Sequence, residues 1–576
     1  MIRAIRRRSI PSVDFGAHFD PLLARIYAAR GVKSVEEVAD YGIQHLSRVS
    51  TLDAVDAGAD LIARHMQSHG DILVVGDYDA DGATATALVI RVLRALGHQA
   101  VGYLVPDRSK FGYGLTPGIA AVAIAQAPAL IITVDNGVSS LEGVAAVRAA
   151  GIDVLVTDHH LPGRVLPDAN VIVNPNLDGS RFASPALAGV GVAFYVLTAL
   201  ARQLGQPAAL VAQFLDLVAL GTVADVVPLD RNNRILVEQG LRRIRQGRCV
   251  PGIQALAAQA GRTLVSASPA DLGFLVGPRL NAAGRLKDMR IGIECLLADD
   301  MAQATVLAQQ LDGINRERRV IEATTQAEAL SIVERLHLHE PGVAPPAALT
   351  LYDAQWHQGV VGLVAGRIKD LVHRPVVVFA PAEDGLLRGS ARSVAGIHIR
   401  DALEAVSTAY PGLIERFGGH AMAAGLSLRP ERVAHFGAVF EQEVARRAEP
   451  GQLEGAIWTD GELPADDLNV GTADRLRAAG PFGSGFPEPQ FDGEFRVRDV
   501  KILKELHLKM TLVGGPRTPP IEAIAFGWVI KPGAHQPARD STIRAVYRLE
   551  VNEWQGLRRP QLLVEHLEAI ETARML

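Results

Sequence analysis

The feature that most constrains this chain is a short acidic stretch, Asp77-Tyr78-Asp79-Ala80-Asp81-Gly82. It follows an apolar run at 72–75 that is typical of a buried strand, and it precedes a segment at 83–96 that is rich in helix formers. Three carboxylates are therefore predicted in a strand-to-helix turn, at the edge of an α/β sheet where ligands bind. Like charges this close repel one another, so the turn favours Mg²⁺ or Mn²⁺, which take oxygen ligands. By itself, the motif leaves open an acidic turn that merely faces solvent.

Length and composition limit the class of protein. A chain of 576 residues is too long for a single core and predicts about three or four domains. Its 48% hydrophobic and 21% charged residues are typical of a soluble globular protein. The net charge of -5 does not point to nucleic acid, so a nucleic-acid-binding function would need basic residues that cluster locally. Two cysteines, Cys249 and Cys295, are too few for a disulfide framework and indicate a reducing, cytoplasmic compartment.

Two segments bear on targeting. The basic N-terminus at 1–8 is not followed by an apolar run, so it is not predicted to be a secretory signal. The uncharged segment at 182–201 is long enough to span a bilayer, but its serine, proline and glycine residues favour a helix buried in a large α/β core. We therefore expect no membrane association.

Strand-like and helix-like segments alternate from residue 71 onward, which predicts an α/β domain with a mostly parallel sheet covered on both faces. The candidate strands lie at 72–75, 101–105, 130–134, 154–156 and 171–173, and the candidate helices at 83–96, 117–127, 141–150 and 188–204. A long helix is expected at 296–330, a second α/β pattern at 348–445, and short alternating segments after 450 indicate a small β-domain. The expected domains are a helical N-terminal lead-in at 1–60, a catalytic domain at 61–275, a helical connector at 276–345, an α/β domain at 346–448 and a β-domain at 449–576.

Two further candidate strands also end in acidic residues. The run at 130–134 leads into Asp135, and the run at 154–156 leads, after one threonine, into Asp158-His159-His160. The carboxyl ends of parallel strands meet at one sheet edge, so these clusters should converge there. Asp225, at the end of an apolar helix-like run, is a fourth acidic position. Separately, these residues have ordinary explanations as a turn, surface histidines or a helix cap. Together they predict two cations about 3.5–4 Å apart that activate a water for attack on phosphorus.

These motifs resemble the DHH phosphoesterase superfamily, and within it the bacterial exonucleases that degrade single-stranded DNA in the 5′→3′ direction. The segments that carry the resemblance occur in the family's order: DYDADG at 77–82, VDNG at 134–137, DHH at 158–160, GTVADVVPL at 221–229, GPRLNAAGRL at 277–286, GSARS at 389–393, FGGHAMAAG at 417–425, and PFG through PEP at 481–489. They cover nearly the whole chain. The resemblance implies a DHH domain, a helical connector, a DHHA1 domain and a C-terminal β-barrel of the OB-fold type.

By motif position, the resemblance also implies roles for individual residues. The expected metal ligands are Asp79, Asp81, Asp135, His159 and Asp225. The expected catalytic residues are Asp77, which would support the ligands or bind directly, Asp158, which would orient the histidine ligand, and His160, which would face the scissile phosphate. The expected substrate-binding residues are Arg108, Ser390 and Arg392 at the 5′-phosphate end, with Arg279, Asn281, Arg285 and His420 along the strand.

Some positions depart from the family or stay ambiguous. Val75 stands where many relatives have a histidine, so one cation would have fewer ligands, which puts its affinity and identity in doubt. Phe482 and Phe486 are candidates for stacking with bases in the C-terminal domain, with a core position as the alternative. Lys501, Lys504 and Lys509 make that domain locally basic.

The resemblance implies 5′-mononucleotide products, two Mn²⁺ or Mg²⁺ ions, single-stranded DNA as substrate, and a setting in DNA repair and recombination. A single-strand-binding protein and a helicase are partners that the family leads us to expect. One alternative is a DHH phosphodiesterase for short oligonucleotides or cyclic dinucleotides, against which the C-terminal domain argues. Another is a non-catalytic DNA-binding scaffold, against which the intact acidic and histidine positions argue.

Overall fold

The computed structural model describes residues 4–106, 113–335, 345–382, 384–449, 451–515, 519–529, 534 and 536–570. The chain divides into two compact units. The larger unit is formed by residues 42–455, and the smaller unit by residues 2–41 together with 456–576.

The secondary structure follows in chain order. The strands are β1 (Ala4–Arg7), β2 (Ile72–Gly76), β3 (Val101–Leu104), β4 (Leu130–Val134), β5 (Asp153–Thr157), β6 (Val171–Val173), β7 (Leu349–Tyr352), β8 (Val376–Pro381), β9 (Leu387–Arg392), β10 (Arg416–Gly419), β11 (Ala423–Leu428), β12 (Ala456–Thr459), β13 (Phe491–Leu503), β14 (His507–Val513), β15 (Ile521–Ala525), β16 (Thr542–Trp554) and β17 (Leu557–Ala569). The α-helices are α1 (Pro21–Ala28), α2 (Glu36–Ala39), α3 (Val55–Gln67), α4 (Ala80–Ala95), α5 (Pro117–Ile124), α6 (Leu141–Ala149), α7 (Gly189–Gln203), α8 (Ala209–Ala212), α9 (Leu215–Ala224), α10 (Arg231–Arg245), α11 (Pro251–Gln259), α12 (Pro269–Asp271), α13 (Gly277–Leu286), α14 (Arg290–Leu297), α15 (Met301–Arg335), α16 (Val361–Val372), α17 (Ile399–Ala409), α18 (Val433–Arg447) and α19 (Val470–Ala478). A π-helix at Leu272–Val276 precedes α13, and short 3₁₀ helices lie at Ile43–His45, Val49–Thr51, Leu264–Ser266, Pro430–Arg432 and Ala465–Asp467.

The first sheet of the larger unit is parallel throughout, in the order β3-β2-β4-β5-β6. One face packs against α5 and α6 through a core that includes Val75, Ile131 and Val156. On the other face, α4 contacts β2 and α3 contacts β6. This arrangement confirms the α/β class predicted from the sequence, and it brings the carboxyl ends of β2, β4 and β5 to one edge of the sheet.

The apolar segment at 182–201 lies mostly within α7, and twelve of the fifteen residues of that helix are buried. This agrees with the predicted buried helix. Among the described residues, none of the helices combines the length and the apolar character that crossing a membrane requires.

The second sheet of the larger unit has the order β10-β11-β9-β8-β7, with only β7 and β8 parallel. One face buries Leu387, Ala391 and Leu426 against α17 and α18. On the opposite face, Val376 and Val378 are covered by α16 and the end of α15. The long helix expected at 296–330 is therefore real, although it begins at Met301 and ends at Arg335.

The smaller unit is built around a closed barrel in the strand order β13-β14-β15-β17-β16. The expectation of an entirely helical N-terminal lead-in is wrong for its first residues, because β1 pairs in parallel with β12 of the same unit. The expectation that Phe482 and Phe486 could stack with bases is not supported either. Both rings are buried and stack on one another with centroids 5.6 Å apart, so the core alternative describes them.

A buried carboxylate, Asp492, ties the N-terminal strand to this barrel. Its oxygens accept hydrogen bonds from Arg7 Nη2 at 3.0 Å, Thr459 Oγ1 at 2.6 Å and Arg544 Nη2 at 2.8 Å. Burial alone would raise the pKa of Asp492, but these hydrogen bonds overcome that effect and lower the pKa to about 2.

We predict that this network makes the smaller unit acid-sensitive. The folded pKa lies below the unfolded value of about 3.9, so the carboxylate stabilises the fold fully above pH ~4 and loses that effect as the pH falls towards 2. At pH 7, Asp492→Asn should lower the free energy of unfolding by about 2–3 kcal/mol, and the difference from wild type should shrink on acidification. Urea unfolding followed by tryptophan fluorescence measures this, because Trp458, Trp528 and Trp554 belong to this unit.

Asp540→Asn is the matched control. Asp540 pairs with Arg496, and both side chains are more than half exposed, so its loss should cost little. Equal losses in the two variants would contradict the assignment of acid sensitivity to Asp492.

Candidate active site

The acidic turn between β2 and α4 is held by its own backbone. Asp79 caps α4, because its Oδ1 accepts a hydrogen bond from Gly82 N at 3.0 Å. Gly82 approaches so closely that a Cβ there would lie 2.6 Å from the backbone N and O of Asp77. From outside the turn, Asn281 Oδ1 accepts a hydrogen bond from Ala80 N at 2.8 Å. The turn therefore presents three carboxylates in a fixed conformation.

Asp81 is buried and faces the N-terminus of α7. Its Oδ2 accepts from Gly189 N at 2.6 Å, and its Oδ1 accepts from Val190 N at 3.0 Å. Gly189 is needed here, since a Cβ would lie 2.5 Å from the Cβ of Asp135. Burial, together with the charge of Asp79, raises the pKa of Asp81 to about 7. The helix N-terminus stabilises the charged form and partly offsets this effect.

Asp135 follows β4 and has left-handed backbone geometry, with φ +61°. This conformation is uncommon for residues other than glycine. The neighbouring Asn136 fixes the turn, because its side-chain amide donates to Val75 O at 3.0 Å and to Val134 O at 2.9 Å. Burial and the charge of Asp81 raise the pKa of Asp135 well above its usual value.

The carboxylate of Asp158 contacts the ring of His160 and the backbone N–H of His159. Its Oδ1 accepts from His159 N at 2.7 Å and lies 2.8 Å from His160 Nδ1, while its Oδ2 accepts from Val138 N at 2.9 Å. The expectation that Asp158 orients the ring of the histidine ligand needs correction, since the ring it contacts is that of His160. Burial alone would lower the pKa of His160, but the hydrogen bond to Asp158 and the surrounding carboxylates raise it to about 9.

His159 lies between carboxylates from two different elements. Its Nε2 is 3.1 Å from Asp135 Oδ1 and 3.5 Å from Asp225 Oδ2. Asp225 comes directly after α9. Burial, together with the charge of His160, lowers the pKa of His159 to about 3, so the ring is neutral and can serve as a metal ligand.

The geometry of these side chains fits divalent cations. Three overlapping sets place their ligand atoms within 4.8 Å of one another: Asp77, Asp79 and Asp135; Asp81, His159 and Asp225; and Asp135, His159 and His160. Within the described part of the chain, neither the buried Asp135 Oδ1 nor the buried His159 Nε2 makes a hydrogen bond. Buried polar atoms without partners are costly, and a cation would satisfy both. The first two sets could each hold one ion, with Asp135 close to both.

A cleft of about 1370 Å³ begins at this cluster and runs along the second sheet of the larger unit. His420, from the segment after β10, stacks on His160 with ring centroids 5.2 Å apart. Ser390 and Arg392 of β9 line the cleft, and Arg392 Nη1 donates to Ser390 Oγ at 3.1 Å. The two sheets of the larger unit therefore contribute side chains to the same cavity.

Three family models match this chain. The model described as "DHH family, N-terminal domain" matches residues 71–222, the "DHHA1 domain" matches 346–446, and the "RecJ OB domain" matches 459–566. The single-stranded-DNA-specific exonuclease RecJ of Dickeya dadantii is 48% identical over 98% of this chain and 99% of its own length. The protein of the same name from Escherichia coli is 45% identical over 98% of each chain.

The chain belongs to the RecJ family. Its fold agrees with that of RecJ from Thermus thermophilus solved in complex with Mn²⁺, with a TM-score of 0.78 and 30% identity over 96% of this chain and 76% of that one. A second structure of that protein, in complex with Mg²⁺, matches with a TM-score of 0.72 and 29% identity over 96% and 75% of the two chains.

The other predicted substrate-binding residues of this RecJ-family chain fall into different groups. Asn281 and Arg285 line the cleft, and Asn281 also positions the acidic turn. Arg279 is buried, and its guanidinium pairs with Asp312 at 2.9 Å, so its placement does not support a DNA contact. Arg108 lies outside the described residues.

Sequence reasoning missed Tyr113, which stands at the centre of the site. Its hydroxyl donates to Asp135 O at 3.1 Å and lies 3.0 Å from His160 Nδ1, and its ring contacts that of Tyr78. The only local signal is a tyrosine between two glycines shortly after β3, which is too common a pattern to indicate an active-site residue. Its contacts became visible only with the fold.

We predict that the acidic cluster costs stability until cations bind. Asp225→Asn removes one repelling charge, so the apo protein should gain about 1–3 kcal/mol and melt a few degrees higher in EDTA. The same change removes a ligand, so the upward shift in melting temperature caused by Mn²⁺ should fall to less than half that of wild type. Thermal melts in EDTA and in Mn²⁺ measure both effects.

Asp216→Asn serves as the control. Asp216 is fully buried outside the cluster, where its Oδ2 accepts from Val250 N at 2.7 Å. This variant should keep the full response to Mn²⁺. A wild-type response in Asp225→Asn would show that Asp225 is not a ligand.

Proposed function

We propose that this chain hydrolyses single-stranded DNA from the 5′ end and releases 5′-mononucleotides. The observation that carries the proposal is that one cleft is lined both by carboxylates of the carboxylate–histidine cluster and by Ser390 and Arg392 of β9. The names of the relatives with 45–48% identity support single-strand-specific exonuclease activity. The 5′→3′ polarity and the mononucleotide product are parts of the proposal that these names do not print.

The proposed residue roles follow from the geometry. Asp79, Asp81, Asp135, His159 and Asp225 would hold Mn²⁺ or Mg²⁺. A carboxylate oxygen of Asp77 lies within 4.8 Å of those of Asp79 and Asp135, so Asp77 would support the same cluster. The bound ions would supply an activated water and neutralise charge on the phosphate. Ser390 and Arg392 would bind the terminal phosphate and so place the first internucleotide linkage at the cluster.

The histidine pair would handle charge and protons. His160, kept protonated by Asp158, would donate a hydrogen bond to the scissile phosphate. Water adds to phosphorus, the P–O3′ bond breaks, and the leaving 3′ oxygen takes a proton as the mononucleotide departs. His420, stacked on His160, would hold that ring in place.

Wider roles are also proposals. The RecJ OB domain match supports a contact with single-stranded DNA by the smaller unit, for which Lys501, Lys504 and Lys509 are candidates. We propose DNA repair and recombination as the setting, the cytoplasm as the compartment, and a single-strand-binding protein and a helicase as partners. The family matches at 346–446 and 459–566 support domain boundaries close to 346–448 and 449–576, and the match at 71–222 lies within the proposed catalytic domain at 61–275.

We predict that wild-type protein with Mn²⁺ converts a 3′-labelled single strand into a ladder of shortening labelled fragments. A blunt duplex should resist, and Asp81→Ala should abolish the ladder by removing a carboxylate from the cluster. Denaturing gels measure the products. Immediate release of the labelled 3′ nucleotide would mean degradation with the opposite polarity. Binding of the strand without hydrolysis would favour the alternative of a non-catalytic DNA-binding scaffold. Cleavage confined to oligomers of a few nucleotides would favour the short-oligonucleotide phosphodiesterase.

We also predict a preference for a 5′-phosphate that depends on Arg392. A hydrogen bond to a charged group contributes about 1.5–3 kcal/mol, so Arg392→Ala should lower kcat/KM on a 5′-phosphorylated strand about 10- to 100-fold. The loss on a 5′-hydroxyl strand should be smaller. Arg446→Ala, on the exposed face of α18, is the control and should change neither value. Equal losses on both strands would place Arg392 elsewhere along the DNA.

A further inference from the structure

One strip of the second sheet of the larger unit lines the cleft, beside α16, which contacts β9. Along β9, Leu387, Gly389 and Ala391 are buried, so the alternate residues Arg388, Ser390 and Arg392 share the opposite face. The registers of β11 and β10 place further residues beside them on this face: Ser427 and Arg416 next to Arg388, and Gly425 and Gly418 next to Ser390. We call this face of β9, β11 and β10 the open strip.

Two glycines make the middle of the open strip flat. A Cβ at Gly418 or Gly425 would meet no atom within 4 Å, and neither residue has a positive φ. Neither close packing nor backbone conformation within the described residues therefore requires glycine here. Glycine inside a strand weakens it and often marks a position where a ligand approaches the backbone. The flat centre of the open strip is consistent with a ligand lying across it.

The open strip has a measurable direction. Its inner end is at His420, which follows β10 and stacks on His160 at the metal cluster. Gly418, beside Ser390, is two residues further out, and Arg416, beside Arg388, is two residues beyond that. Two residues of a strand span about 6.7 Å, which is comparable with the spacing of successive phosphates in an extended single strand. The open strip therefore offers one phosphate position at Ser390 and Arg392 and a second at Arg388 and Arg416.

The guanidinium groups of Arg388 and Arg416, at the outer position, carry the positive charge that a phosphate requires. Arg388 Nη1 donates to Ser427 Oγ at 2.8 Å, which aims the guanidinium across the strip, and its partner Asp384 is half exposed. An exposed pair of this kind contributes little and can yield to a phosphate. Arg416 is exposed, and none of the described carboxylates forms an ion pair with it. The adjacent acid, Glu415, is already paired with Arg429 and Arg432.

We propose that Arg388 and Arg416 form a second phosphate subsite, one nucleotide beyond the terminal-phosphate position, which lets the enzyme excise a 5′-phosphorylated dinucleotide. This inference rests on the proposed function. In the proposed function, the 5′-phosphate lies at Ser390 and Arg392 when the first linkage lies at the metal cluster. When the strand advances by one further nucleotide, its 5′-phosphate reaches Arg388 and Arg416, and the second linkage lies at the cluster. Water then adds to the phosphorus of this second linkage, and the bond from that phosphorus to the 3′ oxygen of the second nucleotide breaks. The 3′ oxygen takes a proton, and the dinucleotide leaves with a 5′-phosphate and a 3′-hydroxyl.

The test uses a 5′-phosphorylated single strand whose first linkage is a phosphorothioate, which keeps its charge but resists hydrolysis. Wild-type protein with Mn²⁺ should release a 5′-phosphorylated dinucleotide from this blocked strand, and more slowly from its 5′-hydroxyl form. In the double variant Arg388→Gln/Arg416→Gln, the ratio of the rate on the blocked strand to that on an unmodified strand should fall at least tenfold. Arg367→Gln, an exposed arginine on α16, should keep the wild-type ratio.

The outcomes separate the two proposals. If the unmodified strand is degraded and the blocked strand stays intact in wild type, the second subsite is wrong and the exonuclease stands. An unchanged ratio in the double variant would also overturn the subsite, because dinucleotide release would not depend on these arginines. If the unmodified strand is not degraded, the proposed function fails, and the subsite fails with it.

Discussion

The structure depends on keeping several carboxylates together at one buried sheet edge. Asp81 and Asp135 are almost fully buried, and the charge of Asp81 is one of the causes that raise the pKa of Asp135. No packing energy arises from this arrangement, because each carboxylate loses solvent and gains a repelling neighbour. The cluster therefore persists only because the surrounding backbone fixes it and because cations, when bound, neutralise it.

The restraint comes from elements that are far apart in the sequence. The first backbone N–H groups of α7 hold Asp81, the side chain of Asn281 in α13 holds the turn that contains Asp79, and Tyr113 holds the carbonyl of Asp135. Each contact satisfies a backbone or carboxylate group that would otherwise be buried without a partner. The metal centre is consequently a property of the larger unit as a whole, and a change in α7 or α13 can alter it without touching a ligand.

In the proposed function, side chains of the second sheet of the larger unit position the DNA strand at the cluster. His420 stacks on His160, and the cleft wall that the same sheet forms includes Ser390, Arg392, Arg388 and Arg416. The order of these groups along the open strip relates the length of the bound 5′ end to the linkage that lies at the metals. Because strand residues on one face repeat every two positions, the spacing of these groups is set by the strands themselves.

The sequence by itself determined the α/β alternation, the parallel strands at 130–134 and 171–173, and the acidic and histidine positions that meet at one edge. Strand periodicity and motif spacing are local, so they can be read without coordinates. Only the tertiary structure decided that Asp158 contacts the ring of His160, that Arg279 is buried against Asp312, and that Tyr113 lies in the site. The sequence also did not predict that the N-terminal strand β1 pairs with β12. These facts depend on contacts between residues distant in the chain, and local propensity carries no record of such contacts.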